Sequence, residues 1–317
     1  MTEFAKGTVV RSDAKVYHVE VGGEVRQFAP RGRLFEELGE TKNPVAVGDH
    51  VRVSLKGDPP GVEEVLRRVN FLPRIASSHD PREQILFANV DQLFIIASVA
   101  QPTFSSNRAD RILAACSYHE IPAWLILNKI DLDKGGQARA ICETYEAAEV
   151  PVLEMCASEK RGMEPLIELL RNKISVFYGA SGAGKSTILN AIQPGLNLRV
   201  GKISRFWDQG KHTTTFSQMH RFEALPARVI DTPGIRVFRL AGINKAELRD
   251  LFPEFQPFQE QCHFPDCTHD HEPECAVFDA LEAGKLAPTR YASYVEILDE
   301  LAIPPQDDTP VPPPHQL

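Results

Sequence analysis

The spacing of apolar residues changes character three times along the chain. From residue 1 to about 72 they fall in short alternating runs, GTVVRSDAKVYHVEV and DHVRVSL, broken by VGG, VGD and GDPPG. Alternation turns one face of each strand inward and the glycine and proline breaks make tight turns. Residues 1–72 therefore predict a small all-β domain, an OB-fold-like barrel. From 73 to 242, continuous apolar runs (QLFIIASVA, AWLILNK, VPVLEMCAS, ISVFYG) alternate with amphipathic windows (ADRILAACSYHE, QARAICETYEAA, MEPLIELLRNK, STILNAI). Strands buried on both faces and joined by helices predict an α/β domain. Its sheet is doubly wound and mostly parallel, with a ligand crevice at the carboxyl ends of the strands. From 243 to 302 the pattern is helical again, in INKAELRDLFPEF, AVFDALEAGK and RYASYVEILDELA, around a cysteine cluster. The proline-rich end, 303–317, has too few apolar residues to pack and is expected to be disordered.

Composition adds modest constraints. With 317 residues, 43% of them apolar and 25% charged, the chain can fill one large or two to three modest hydrophobic cores. No run approaches the ~18 apolar residues of a membrane span. The start MTEFAKGTVV lacks the layout of a secretory signal, so a cytoplasmic location with no membrane partner is expected. Cys116, Cys142 and Cys156 are scattered through apolar segments, whereas Cys262, Cys267 and Cys275 cluster, which fits a reduced compartment and one metal site. A net charge of −8 argues against indiscriminate nucleic-acid binding and against DNA. The first segment is nearly charge-balanced, so a basic face for a folded RNA is compatible with it.

The chemistry sits in short motifs. Gly179-Ala180-Ser181-Gly182-Ala183-Gly184-Lys185-Ser186, followed by Thr187, satisfies G-x-x-x-x-G-K-[ST] between an apolar strand and a helix. Glycines let backbone N–H groups wrap phosphates, Lys185 reaches the outer phosphates, and Ser186 is a candidate Mg²⁺ ligand. In VIDTPG, Asp231 ends a strand as the second candidate Mg²⁺ ligand, and the Gly234 N–H can meet a γ-phosphate. Asn128-Lys129-Ile130-Asp131 ends the strand AWLIL; the Asp131 carboxylate can accept from guanine N1–H and its 2-amino group, a pairing adenine cannot make. Asn128 and Lys129 would brace and cover the ring. The next strand ends at Cys156-Ala157, where GTPases place Ser-Ala, so the Ala157 N–H can serve while the serine hydroxyl is absent. The polar stretch 199–220 reads as a switch, and one of Thr213, Thr214 and Thr215 can complete the Mg²⁺ shell. A water-orienting Gln is missing after the Asp-x-x-Gly turn, where Ile235 stands. A hydrophobic side chain cannot polarise water, so another group must substitute, and His212 in the switch is the candidate.

Base motif, phosphate loop, threonine switch and Asp-Thr-Pro-Gly occur in that order. With this order the chain resembles the circularly permuted GTPases, and within them the ribosome small-subunit-dependent GTPase family. NKID, GASGAGKST, GKHTTT, DTPGIR and CHFPDCTHDHEPECAV carry the resemblance, which covers roughly residues 1–300. It implies a permuted P-loop GTPase domain between an OB-like barrel and an α-helical zinc-binding domain. It further implies GTP hydrolysis to GDP stimulated by the 30S subunit, with contacts to 16S rRNA, in late maturation near the decoding region by a monomer. It favours His212 and implies zinc on Cys262, Cys267, His269 and Cys275. Independently, C-x4-C-x-H-x5-C supplies three thiolates and an imidazole, a closed tetrahedral set, although His263 and His271 keep the fourth ligand open. Two rival readings are a metabolic P-loop phosphotransferase, which would not need Asp131, and a nucleotide-gated RNA-binding switch with negligible catalysis, suggested by Ile235.

Overall fold

A computed structural model describes residues 4–13, 16–32, 34, 41–56, 60–77, 80–196, 198, 217–232 and 238–302. Outside these described residues lie most of the expected switch with His212 and Thr213–Thr215, the turn residues Gly234 and Ile235, and the tail 303–317.

The alternating N-terminal runs form β1 (Phe4–Ser12), β2 (Tyr17–Val21), β3 (Glu24–Pro30), β4 (His50–Ser54) and β5 (Gly61–Val65). They pair in the order β1-β2-β3-β5-β4, and β4 returns to β1, closing a barrel. In β4, exposed His50 and Arg52 alternate with buried Val51 and Val53, and the inward residues fill the core with Val9, Val19, Phe28 and Val62. The VGG break is the β2–β3 hairpin turn, with Gly22 at φ 61° and Gly23 at φ 87°, the left-handed pair such a turn requires. An antiparallel ribbon, β6 (Phe71–Ser77) with β7 (Asp80–Ala88), forms a separate two-stranded sheet after the barrel strands.

The second region contains β8 (Gln92–Ser98), α1 (Ser106–Tyr118), β9 (Ala123–Asn128), α2 (Gln137–Ala147), β10 (Val152–Glu154), α3 (Met163–Leu170), β11 (Ile174–Gly179), α4 (Lys185–Ile192), β12 (Gln218–Arg221) and β13 (Arg228–Asp231). Its strands lie in the order β10-β9-β8-β11-β13-β12, parallel except for β12. Both faces are covered, which explains the continuous apolar runs: α3 and α4 pack on one side around Phe94, Ile126 and Phe177, and α1 on the other around Ile95, Leu125 and Val176. The sheet runs on into the barrel through one register pair, Arg11 opposite Gln218. Glu20 of β2 reinforces that junction by bonding Arg228 at 2.7 Å.

The C-terminal helices are α5 (Lys245–Leu248), α6 (Gln256–Gln259), α7 (Ala276–Glu282) and α8 (Pro288–Ala302). The helix expected through INKAELRDLFPEF is broken into α5 and two 3₁₀ turns. A capping box of Asn244 and Glu247 starts it, but Pro253 lacks the N–H needed to continue. The break drops Phe252 and Phe255 into the core against Tyr294 of α8, which itself lies along α1. Among the described residues no helix is long and apolar enough to cross a membrane.

Candidate functional site

Strand register decides what meets at the crevice. Asn128 lies opposite Ser98, Gly179 opposite Ile96 and Asp231 opposite Phe177, so β9, β11 and β13 all deliver their motif at the same edge of the sheet. Pairing, not chain order, places them, and the permuted order leaves the site intact.

Asn128 is the hub. Its Nδ2 donates to the Ala183 carbonyl at 2.9 Å, and its Oδ1 accepts from the Ala157 N–H at 3.1 Å, so one buried side chain ties the base motif to both the phosphate loop and the 3₁₀ turn after β10. Lys129, left-handed at φ 61°, sends Nζ to the Gly182 carbonyl at 2.6 Å and to Gln101 O. Partial burial lowers the ammonium pKa, with Asp131 opposing. Ile130 and Asp131 open a 3₁₀ turn, and the Asp131 carboxylate is exposed at the rim, where a base would meet it. The Cys156 sulfur lies 2.9 Å from Asp131 Oδ1. The absence of a serine hydroxyl therefore leaves no gap; that thiol contact was not foreseen from sequence, where cysteine reads as a small hydrophobe.

The phosphate loop runs from Gly179 to Gly184, with Gly182 at φ 84° and Gly184 at φ 108° leading into α4. A Cβ on Gly179 would stand 2.1 Å from the Ile96 carbonyl, so close strand packing also demands glycine there. Ala180, Ser181 and Ala183 complete the loop, and Ser186 and Thr187 follow Lys185 in the first turn of the helix. Lys185 is buried and folds back on its own loop, donating to the Gly179 carbonyl at 2.6 Å. Asp231 sits close enough to act on it electrostatically: burial lowers the Lys185 pKa and Asp231 raises it again. Conversely, burial pushes the Asp231 carboxyl up to about 6, against the pull of Lys185, and its Oδ1 is buried without a hydrogen-bond partner. An orphaned acidic oxygen beside a lysine fits a divalent cation, which would supply positive charge there when bound.

The raised Asp231 pKa has a stability consequence in the nucleotide-free protein. Between its ordinary 3.8 and about 6 the folded chain holds a proton that the unfolded chain has released, so rising pH costs stability across that window. Asp231→Asn is expected to melt higher than the parent above pH 6, with the advantage fading toward pH 4. Melting curves without nucleotide or added magnesium check this; a pH-independent difference would contradict it.

At the other end, Cys262, Cys267, His269 and Cys275 place their ligand atoms within 4.8 Å of one another. His269 Nδ1 lies 3.6 Å from the Cys262 sulfur and 3.5 Å from that of Cys275. The Cys275 sulfur also accepts from the Phe278 N–H that opens α7, which suits a thiolate. His263 and His271 are exposed and pair with Glu274 and Asp270, so both stand apart from the cluster and His269 is the imidazole of the set. Three sulfurs and one imidazole at this separation are compatible with a tetrahedral zinc ion.

Comparisons with known proteins agree with this arrangement. The family model described as RsgA GTPase matches residues 65–241. A protein of Chlorobaculum tepidum named small ribosomal subunit biogenesis GTPase RsgA is 38% identical over 313 residues, 95% of this chain and 100% of that protein. One of Bordetella pertussis with the same name is 39% identical over 302 residues, 94% of this chain and 97% of its own. Among solved structures, YjeQ from Thermotoga maritima superposes with a TM-score of 0.72 at 32% identity, covering 95% of this chain and 99% of that one. YloQ, described as a circularly permuted GTPase, gives 0.65 at 27% identity over 95% and 96%.

Proposed function

Because this chain belongs to the RsgA GTPase family, we propose that it binds GTP with Mg²⁺ and hydrolyses it to GDP and phosphate while assisting late maturation of the small (30S) ribosomal subunit. The observation that carries this reading is the Asn128 hub, which binds a guanine reader and a phosphate cradle into one pocket. A phosphotransferase would have no use for Asp131, so that rival is not favoured.

In this reading Asp131 selects guanine, Asn128 and Lys129 hold the reader against the loop, and the Ala157 N–H, which donates to Asn128 Oδ1, braces the base side. The loop from Gly179 to Gly184 with Ser186 and Thr187 cradles the phosphates, and Lys185 swings from the Gly179 carbonyl to the outer ones. Mg²⁺, when bound, would neutralise charge between the outer phosphates. Ser186, Asp231 and one of Thr213, Thr214 and Thr215 are its proposed ligands, with the Gly234 N–H at the γ-phosphate. Zinc on Cys262, Cys267, His269 and Cys275 would have a structural role, since four protein ligands leave no open position. The barrel and the zinc-bearing helices are the proposed contacts to 16S rRNA, made by a monomer in the cytoplasm.

The decisive experiment is GTP turnover with and without purified small ribosomal subunits; no stimulation would remove the ribosomal assignment. His212→Ala is expected to bind GTP as the parent does while losing most of the stimulated hydrolysis, a fall of about 10²-fold or more. Unchanged single-turnover rates with subunits present would exclude His212 as the group that orients water.

A further inference from the structure

We propose that Glu272 is a positioning residue for zinc, an internal template that fixes the loop carrying Cys267 and His269 and thereby sets how tightly the metal is held. The proposal rests on the zinc reading of the cysteine–histidine cluster and deepens it. Two of the four ligands, Cys267 and His269, sit on residues 267–271, a stretch with no helix or strand of its own. Glu272 collects the inward donors of that loop. Its Oε1 accepts from the Thr268 N–H at 2.7 Å and from the Thr268 hydroxyl at 2.6 Å. Its Oε2 accepts from the N–H groups of Asp270 and His271 at 3.2 and 3.3 Å. Asp266, Asp270 and Glu274 in the same segment are exposed, whereas Glu272 is partly buried, so it is the acid turned inward.

The imidazole ligand lies between those anchors and needs them. His269 holds φ 59°, a left-handed conformation that a residue with a side chain keeps only where its surroundings over-determine it. Glu272 grips residue 268 on one side of it and residues 270 and 271 on the other. From outside, the Tyr294 and Tyr291 hydroxyls of α8 donate to the Thr268 and His269 carbonyls at 2.6 and 2.7 Å, and Arg249 Nη1 donates to the Cys267 carbonyl at 3.1 Å. Those outer bonds fix where the loop lies. Glu272 fixes its curl, and with it the way the Cys267 sulfur and the His269 ring face the sulfurs of Cys262 and Cys275. A loop curled in advance gives up less freedom when a metal binds. A carboxylate suits this task because both its oxygens only accept, so one side chain can serve all four donors with charge-assisted bonds. A glutamine amide would turn its own N–H groups toward some of them.

The test uses the zinc-loaded full chain, with a chromogenic chelator competing for the metal, and cobalt in place of zinc to report the ligands through thiolate charge-transfer and d–d bands. Glu272→Ala is expected to weaken zinc by about 10–100-fold and the isosteric Glu272→Gln by about tenfold. Thr268→Val, which removes one of the four donors, should weaken it less. At saturation the cobalt spectra should match the parent, because the ligands themselves are unchanged. GDP affinity should match as well, whereas a role confined to folding would lower it along with zinc. If the alanine variant does not fold, the glutamine variant decides. Zinc affinity within about twofold of the parent in Glu272→Gln, or a saturated cobalt spectrum that has lost thiolate intensity, overturns the proposal. A parent chain that takes up no zinc overturns it together with the zinc reading and leaves the GTPase reading in place.

Discussion

Replacing Gly184 with alanine is expected to lower GTP affinity by about 10² to 10³-fold. Gly184 holds φ 108° at the entry to α4, a region that costs a residue with a side chain about 1–3 kcal/mol. A Cβ there would also stand 2.2 Å from Asn128 Nδ2, displacing the amide that donates to the Ala183 carbonyl and leaving buried groups unpaired, for about 1–3 kcal/mol more. Every 1.4 kcal/mol is about tenfold, so the two effects together, about 2–6 kcal/mol, span about 30-fold to 10⁴-fold, and the stated range is the middle of that span. The substitution is informative because one methyl group strikes the phosphate cradle and the base reader at the same atom. Equilibrium titration with GDP and with inorganic pyrophosphate separates the two: both should weaken. A variant that binds GDP within a few-fold of the parent would show that the loop and Asn128 are not coupled.

Arg290→Met is expected to destabilise the chain by about 3–5 kcal/mol. Arg290 is buried on α8 and donates to Asp110 Oδ1 of α1 at 2.5 Å, while Nε and Nη2 reach both oxygens of Glu254 at 2.6 and 3.1 Å. The Tyr145 hydroxyl of α2 donates to the same Asp110 oxygen at 2.7 Å, and the guanidinium stacks 4.7 Å from the Phe252 ring centroid. Burial raises the Asp110 pKa and Arg290 works against the rise. Methionine preserves most of the volume but leaves two carboxylates in the interior with no counter-charge. Because the group joins α1 and α2 to the C-terminal helices around the cysteine–histidine cluster, its loss should appear in denaturant melts as earlier unfolding. A simultaneous Asp110→Asn, Glu254→Gln, Arg290→Met change should recover part of the deficit, as it abandons no lone charge. A loss below about 1 kcal/mol for Arg290→Met would show that the trio is solvated in practice.

The contrast between these two residues marks what a sequence can disclose. The close approach of Gly184 to Asn128 needed the fold, whereas its phosphate-loop role is local, since loop, lysine and helix are contiguous and the chemistry of phosphate binding requires those residue types at that spacing. The same holds for Asp131 and for the cysteine spacing, and the barrel was legible because strands half-buried on one face alternate. Arg290 carries no such signal. Asp110, Glu254 and Tyr145 stand in separate elements, and only folding reveals that three charges share one interior site. The helix break at Pro253 was readable in principle, yet the apolar period of INKAELRDLFPEF masked it. The choice of His269 over His263 and His271 needed the chain path, since all three lie within a few residues of a cysteine. Cys156 was legible as a missing hydroxyl and needed the 2.9 Å contact to Asp131 to be read as a donor.

The sheet order also sets a timetable for the nascent chain. Asn128 is made early, with β8, β9 and β10 forming a parallel unit of their own, but its acceptor Ala183 and the strand β13 that carries Asp231 are made later. About a hundred residues separate Asn128 from Asp231, roughly 5–20 s at usual elongation rates. Throughout that interval the base reader has no phosphate cradle, and β1 waits for its partner in β12. Nucleotide can therefore stabilise this fold only near the end of synthesis, when β11 has slotted between β8 and β13 and the barrel edge has found Gln218.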